Sequence, residues 1–253
     1  MKTDLTIIGV IPARYASTRL PHKLLRTIHS KSLLQWTWEN ASQAHMLDEL
    51  IIACDHPELE NLARSFGAKA VHTSPEHISG TDRIAEAVRD IDAKIIINIQ
   101  GDEPLIHPSI IDRLAQELSY NPAVTMVTMC KRIQDQALID SPHVVKVVRD
   151  KDNFALYFSR FALPYYRDAS GERVHYKHFG IYAYTKDFLF TFKNLPVSYL
   201  ENAERLEQLR ALEAGYKIKV LETQFDSCGV DTEEDLCRVE QILAERLSSG
   251  SKQ

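Results

Sequence analysis

Short apolar runs alternate with segments of helical period through the first half of the chain. Ile7, Ile8, Val10 and Ile11, mostly β-branched and closed by Pro12, predict a strand buried on both faces, as in a parallel sheet. Leu33, Leu34, Trp36, Trp38 and Met46 predict a helix over 32–46 with a broad apolar face. Residues 49–54 predict a second strand, and Pro57 opens a helix ending near Gly67. A short strand follows at 68–72. Ile84, Ala87, Val88 and Ile91 then have helical spacing over 83–91, with Ser79, Thr81 or Asp82 as the cap. Residues 93–100 form the most apolar strand pattern of the chain, and a helix begins near Pro108. Strand and helix in strict alternation predict a doubly wound, Rossmann-like α/β fold with a mostly parallel central sheet.

From Asn121 the rhythm changes. Residues 123–130 and 144–148 read as strands, and 154–166 is dense in aromatic side chains, the pattern of a core or subunit interface. Ser159 and Arg160 interrupt it with a cation that needs an anion. Residues 176–182 predict another strand. Leu206, Leu209 and Leu212 stripe a helix over 201–215, with Glu207 and Gln208 by default on its solvated face. A strand at 218–221 precedes a last helix capped by Asp231 or Thr232, with acids in its first turn. The tail 248–253 is expected to be disordered.

Composition narrows the class without choosing a function. The chain has 253 residues, 44% of them hydrophobic, enough for one large core. Thirty Lys and Arg against 35 Asp and Glu give a net charge of -5, so no overall basic field recruits nucleic acid. Four scattered cysteines without CxxC spacing read as reduced thiols. No segment has the length of a signal h-region or a membrane span, and a cytoplasmic protein is expected.

Chemistry concentrates at predicted strand ends, where open α/β sheets bind ligands. The loop after the first strand carries Arg14, Arg19 and Lys23 with Ser17 and Thr18, and no acid. Single surface cations are usually solvated, but three in one such loop suit a polyphosphate. Neither a P-loop nor a GxGxxG fingerprint is present. Residues 79–83, SGTDR, offer free amides at a helix start, with Gly80 allowing close approach and Arg83 adding charge; an ordinary N-cap also explains them. Gly101-Asp102-Glu103-Pro104 puts two acids at the end of the most buried strand. A turn is one reading of them; carboxylates holding Mg²⁺ on substrate phosphates is the other.

The segments IPARYASTRLP, SGTDR, NIQGDEP, SR of the aromatic stretch, KHFGIY, LEQLR and GVDT resemble, in this order, the 3-deoxy-manno-octulosonate cytidylyltransferase (CMP-Kdo synthetase) family. The resemblance spans Ile11 to Thr232. It implies a single nucleotidyltransferase domain over 1–247, with 131–200 contributing to a homodimer and to sugar binding. The implied reaction joins CTP and 3-deoxy-D-manno-octulosonate (Kdo) to give CMP-Kdo and pyrophosphate, with Mg²⁺, for lipopolysaccharide synthesis.

Carried over by residue, the resemblance assigns Arg14, Arg19 and Lys23 to the CTP phosphates and Ser79, Gly80, Thr81 and Arg83 to the nucleotide. It places Gln100 near both substrates, makes Asp102 and Asp231 metal ligands, and assigns Arg160, His178, Tyr182, Glu207 and Gln208 to the sugar acid. Asp102, Lys23 and Arg14 carry the catalytic expectation. Alternatives are a related enzyme activating another sugar acid such as sialic acid, and a non-catalytic nucleotide-binding protein. One departure stands out: the family's RLPGKPL reads RLPHKLL here. If position 22 needs positive φ, His22 is less comfortable there than Gly.

Overall fold

The computed structural model describes residues 6–17, 19–168 and 172–250. Thr18 and residues 251–253 lie outside them. The first half builds β1 (Ile7–Ala13), the two-residue strands β2 (Thr27–Ile28) and β3 (Lys31–Ser32), α1 (Leu33–Ala41), β4 (Glu49–Cys54), α2 (Pro57–Ser65), β5 (Lys69–His72), α3 (Gly80–Ala87), β6 (Ile95–Asn98) and α4 (Pro108–Tyr120). β7 (Met126–Ile133), α5 (Gln136–Asp140), β8 (Lys146–Arg149), β9 (Ala155–Ser159) and β10 (His175–Thr185) follow. α6 (Lys186–Lys193), α7 (Tyr199–Glu204), α8 (Leu209–Glu213), β11 (Lys219–Glu222) and α9 (Glu233–Gly250) complete the chain.

The main sheet runs β11-β7-β10-β6-β1-β4-β5, with β8 and β9 continuing from β10. Pairings of β1 with β4 and β6, of β4 with β5 and of β11 with β7 are parallel. β10 is antiparallel to both β6 and β7, so the sheet is mostly parallel. Successive residues of β1 point to opposite faces. Ile7 and Ile11 pack with side chains of α1, α2, α4 and α9, whereas Ile8 and Val10 pack with α3, α6 and α8. Helices thus cover both faces of an α/β/α sandwich, and β1 is buried on each, as its unbroken apolar run requires.

Several elements differ from the sequence reading. α1 stops at Ala41, short of Met46, because Ser42 turns its hydroxyl back to the Glu39 carbonyl and the Met46 N–H goes to Asp112 Oδ1. α3 begins at Gly80: Ser79 is its cap, accepting from the Asp82 N–H. The helix expected over 201–215 is two helices. α7 opens on a capping box between Ser198 and Glu201 and ends at Arg205, whose φ of 54° is left-handed. α9 continues to Gly250, through part of the stretch expected as a tail.

Candidate active site

Parallel strands that end together leave their following loops on one edge of the sheet. The loops after β1 and β6, the start of α3 and the turn before α9 enclose there a cavity of about 610 Å³, lined by Arg14, Ser17, Arg19, His22, Lys23, Gly80, Gln100, Asp102 and Asp231, among others. Backbones crowd at its floor. A Cβ on Gly101 would lie 3.3 Å from both the Pro12 carbonyl and Ile11 Cγ2, so a larger residue there would press the β6 turn against the β1 loop.

Lys23 organises the cavity. Its ammonium lies 2.5 Å from Asp102 Oδ2 and 2.9 Å from Asp231 Oδ1. Burial opposes its charge, but the two carboxylates outweigh burial and raise its pKa. Arg19, well exposed, reaches the other oxygen of Asp231 at 3.1 Å. Arg14 is exposed, with Nη1 at 3.5 Å from the Ile78 carbonyl. His22, just before Lys23, has φ 51° and ψ 38°, the left-handed conformation that position 22 was suspected to need. Its ring packs at 4.4 Å on Tyr15, which stacks at 3.9 Å on His56.

Asp102 and Asp231 share a single cation through one oxygen each, and both are partly exposed to the cavity. Among the described residues no group of three or more His, Cys, Asp or Glu could hold a metal alone. Two carboxylates with further ligands from substrate phosphates and water is the ordinary coordination of Mg²⁺, so the donor set fits that ion. It does not fit a closed metal centre of Zn²⁺ type.

Residues expected to bind the nucleotide divide into two groups. Gly80 and Gln100 line the cavity, Gln100 donating to Asn98 Oδ1 at 2.9 Å, and Ser79 caps α3 beside Gly80. Thr81 is buried and donates to Glu207 Oε2 at 2.7 Å, tying the α3 start to the segment after α7. Arg83 is fully buried, with Nη1 on Thr73 Oγ1 at 2.7 Å and Nη2 on Asp55 Oδ2 at 3.1 Å, while its Nε is buried without a hydrogen-bond partner. Asp55 also accepts the Tyr15 N–H, so Arg83 braces the β1 loop.

The expected sugar residues are mostly brought together beside β10. The left-handed turn at Arg205 swings Glu207 and Gln208 inward, whereas a continuous helix would have left them on a solvated face. Glu207 Oε1 and Gln208 Nε2 are buried without a hydrogen-bond partner, a costly state for groups that have nothing to bind. Burial raises the Glu207 pKa, against the Thr81 hydrogen bond and Arg210. His178 Nε2 lies 2.9 Å from the Tyr182 hydroxyl and 3.1 Å from Thr128 Oγ1. Burial pushes His178 down to about 3 and Tyr182 well above the usual phenol range, so a neutral imidazole faces a protonated phenol. Arg160 does not line the cavity. Its guanidinium donates to the carbonyls of Glu204 at 2.8 Å and Pro142 at 2.9 Å and lies 3.5 Å from that of Arg205.

Glu103, which the sequence offers with Asp102 either as a turn residue or as a carboxylate for Mg²⁺, is buried, accepts from Ser227 Oγ at 2.6 Å, and is pushed up to about 7 by burial, against that hydrogen bond. Its bond to Ser227 is the part that the sequence does not announce.

The sequence pattern of the Cytidylyltransferase family matches residues 8–218. A 3-deoxy-manno-octulosonate cytidylyltransferase of Solibacter usitatus is 49% identical over 244 residues, covering 96% of this chain and 97% of that protein. The chain belongs to the 3-deoxy-manno-octulosonate cytidylyltransferase family. A member from Geobacter sulfurreducens is 46% identical over 249 residues, covering 94% of this chain and all of that one. The solved structure of a CMP:2-keto-3-deoxy-manno-octonic acid synthetase complexed with CTP superposes with a TM-score of 0.91 at 41% identity, over 95% of this chain and 99% of the other.

Proposed function

We propose that this chain transfers the cytidylyl group of CTP to Kdo, releasing pyrophosphate and activating the sugar acid for lipopolysaccharide synthesis. The reading is carried by one observation: cations of the β1 loop and carboxylates from two distant segments meet in a single cavity. The anomeric hydroxyl of Kdo forms a bond to the α-phosphorus of CTP, the bond to the β-phosphate oxygen breaks in line, and the hydroxyl proton passes to solvent.

Arg14, Arg19 and Lys23 bind the triphosphate and offset the charge that grows on departing pyrophosphate. Ser79, Gly80 and Gln100 position the nucleotide. Mg²⁺ held by Asp102 and Asp231 supplies positive charge at the reacting phosphate. For that, Lys23 exchanges its carboxylate partners for phosphate oxygens. Glu207 Oε1 and Gln208 Nε2 give the sugar an acceptor and a donor, Tyr182 and His178 hold the wall beside them, and Arg160 pairs with the Kdo carboxylate.

The enzyme acts as a homodimer in the cytoplasm. Leu156, Phe161 and Tyr165 are 62%, 81% and 85% exposed, an apolar surface that a second copy would cover. Among the described residues no helix is long and apolar enough to cross a membrane.

The test is pyrophosphate release from CTP and Mg²⁺ with Kdo, with sialic acid and with no sugar. Release with Kdo alone is expected. Release with sialic acid alone would replace the acceptor, and CTP binding without release in any arm would leave a nucleotide-binding protein.

A further inference from the structure

Asp102 and Asp231 come from segments far apart in the chain, and two hydrogen bonds join the short stretches that carry them. The Val230 N–H donates to the Asp102 carbonyl at 2.9 Å. Ser227 Oγ donates to Glu103 Oε2 at 2.6 Å, both side chains being buried. On the far side of the same segment the Lys177 ammonium, on β10, donates to the Ser227 carbonyl at 2.9 Å and lies 3.3 Å from Asp226 Oδ1. Glu103 is held from above by β10, whose register shifts between Phe179 and Tyr182; a Cβ on Gly180 would come within 4.0 Å of Glu103 Oε1.

Burying a carboxyl group here is expensive, and an apolar side chain of similar volume would fill the space at lower cost. Glu103 does not line the cavity and its hydrogen-bond partner is a neutral hydroxyl. What the pair does deliver is a fixed distance between the β6 turn and the segment before α9. We infer that the Ser227–Glu103 hydrogen bond is a positioning contact that holds Asp231 against Asp102 and so sets the site's affinity for a divalent cation. The inference rests on the reading of these two carboxylates as the cation-binding pair.

Mn²⁺ titrated into the CTP-saturated protein, followed by calorimetry and by the electron paramagnetic resonance signal of free Mn²⁺, tests it. Ser227→Ala should weaken Mn²⁺ about tenfold, the scale of a lost outer-sphere partner. Ser227→Thr, which keeps the hydroxyl, should restore parent affinity. CTP affinity in excess EDTA should be the same in all three proteins, which a general loosening of the fold would not allow. If Ser227→Ala does not fold, Ser227→Cys, isosteric with a weak donor, takes its place.

Parent Mn²⁺ affinity in the variant, or a parallel loss of metal-free CTP binding, overturns the inference. An Asp102→Asn arm separates the two layers. Mn²⁺ binding lost there but unchanged on removal of the Ser227 hydroxyl defeats the clamp alone. Mn²⁺ binding unaffected by Asp102→Asn defeats the cation reading and the clamp with it.

Discussion

The Lys23 ammonium sits 2.5 Å from Asp102 and 2.9 Å from Asp231, so one side chain of the loop after β1 pairs with both carboxylates. Without it the two acids would face each other across a partly buried gap. A divalent cation arriving with CTP can take over that task and release Lys23 to the phosphates. Asp102→Asn should therefore lower kcat roughly a hundredfold or more, the cost of losing a charge-stabilising group. A near-normal rate would remove the metal role from Asp102. In Lys23→Met, added Mg²⁺ should raise Tm by more than it does in the parent, since the variant takes the ammonium from both acids and leaves Asp231 with Arg19 alone.

His22 occupies a conformation that glycine adopts freely, and its contact with Tyr15 is the only return the side chain shows. His22→Gly removes both strain and contact and should leave stability nearly unchanged. His22→Ala keeps the strain and loses the ring, and should be less stable than the glycine variant by about 1 kcal/mol. Urea denaturation of the two would decide, and an alanine variant as stable as the glycine one would mean the turn is not strained.

His178 is depressed to about 3 from an ordinary value near 6.5, so the unfolded chain binds its proton first. Its contribution to stability is fully present above pH 6.5 and is lost as pH falls toward 3. Unfolding free energy measured from pH 7 to 4 should fall less steeply in His178→Gln than in the parent. Parallel curves would show that the imidazole is not held neutral by burial.

Lys146 is buried, with its ammonium on the carbonyls of Ser141 at 2.8 Å, Val144 at 2.6 Å and Arg160 at 2.5 Å. Lys146→Met fills the volume and leaves all three carbonyls without that donor, at a cost of about 2–4 kcal/mol. Because one of them belongs to Arg160, the Michaelis constant for Kdo should rise more than that for CTP. Equal rises would detach Arg160 from the sugar.

Much of this arrangement was legible in the chain. Strands such as β4 and β6 announce themselves because burial on both faces forces an unbroken apolar run, and their ends locate the ligand edge. Arg14, Lys23 and Asp102 follow from that placement alone, whereas Gln100 came only with the family resemblance. The break at Arg205 was not legible: leucines at helical spacing run through it, and the signal for two helices is a left-handed arginine that composition does not mark. Two partners were not legible either. Arg83 at a helix start suggests an anion, and nothing in the local sequence marks Asp55, 28 residues away, as the carboxylate it pairs with. Glu103 stands out as an acid beside Asp102, but its partner Ser227 lies 124 residues away.

Sheet order also sets a timetable. β1, β4, β5 and β6 are neighbours in space and early in the chain, so a nascent polypeptide can assemble that half by itself. β7 borders β10 and β11, both made later, and reaches β6 only through β10. Asp231 arrives last of all. A ribosome must therefore translate as far as Asp231 before Lys23 acquires its second carboxylate, and no nascent chain shorter than that brings the two acids together.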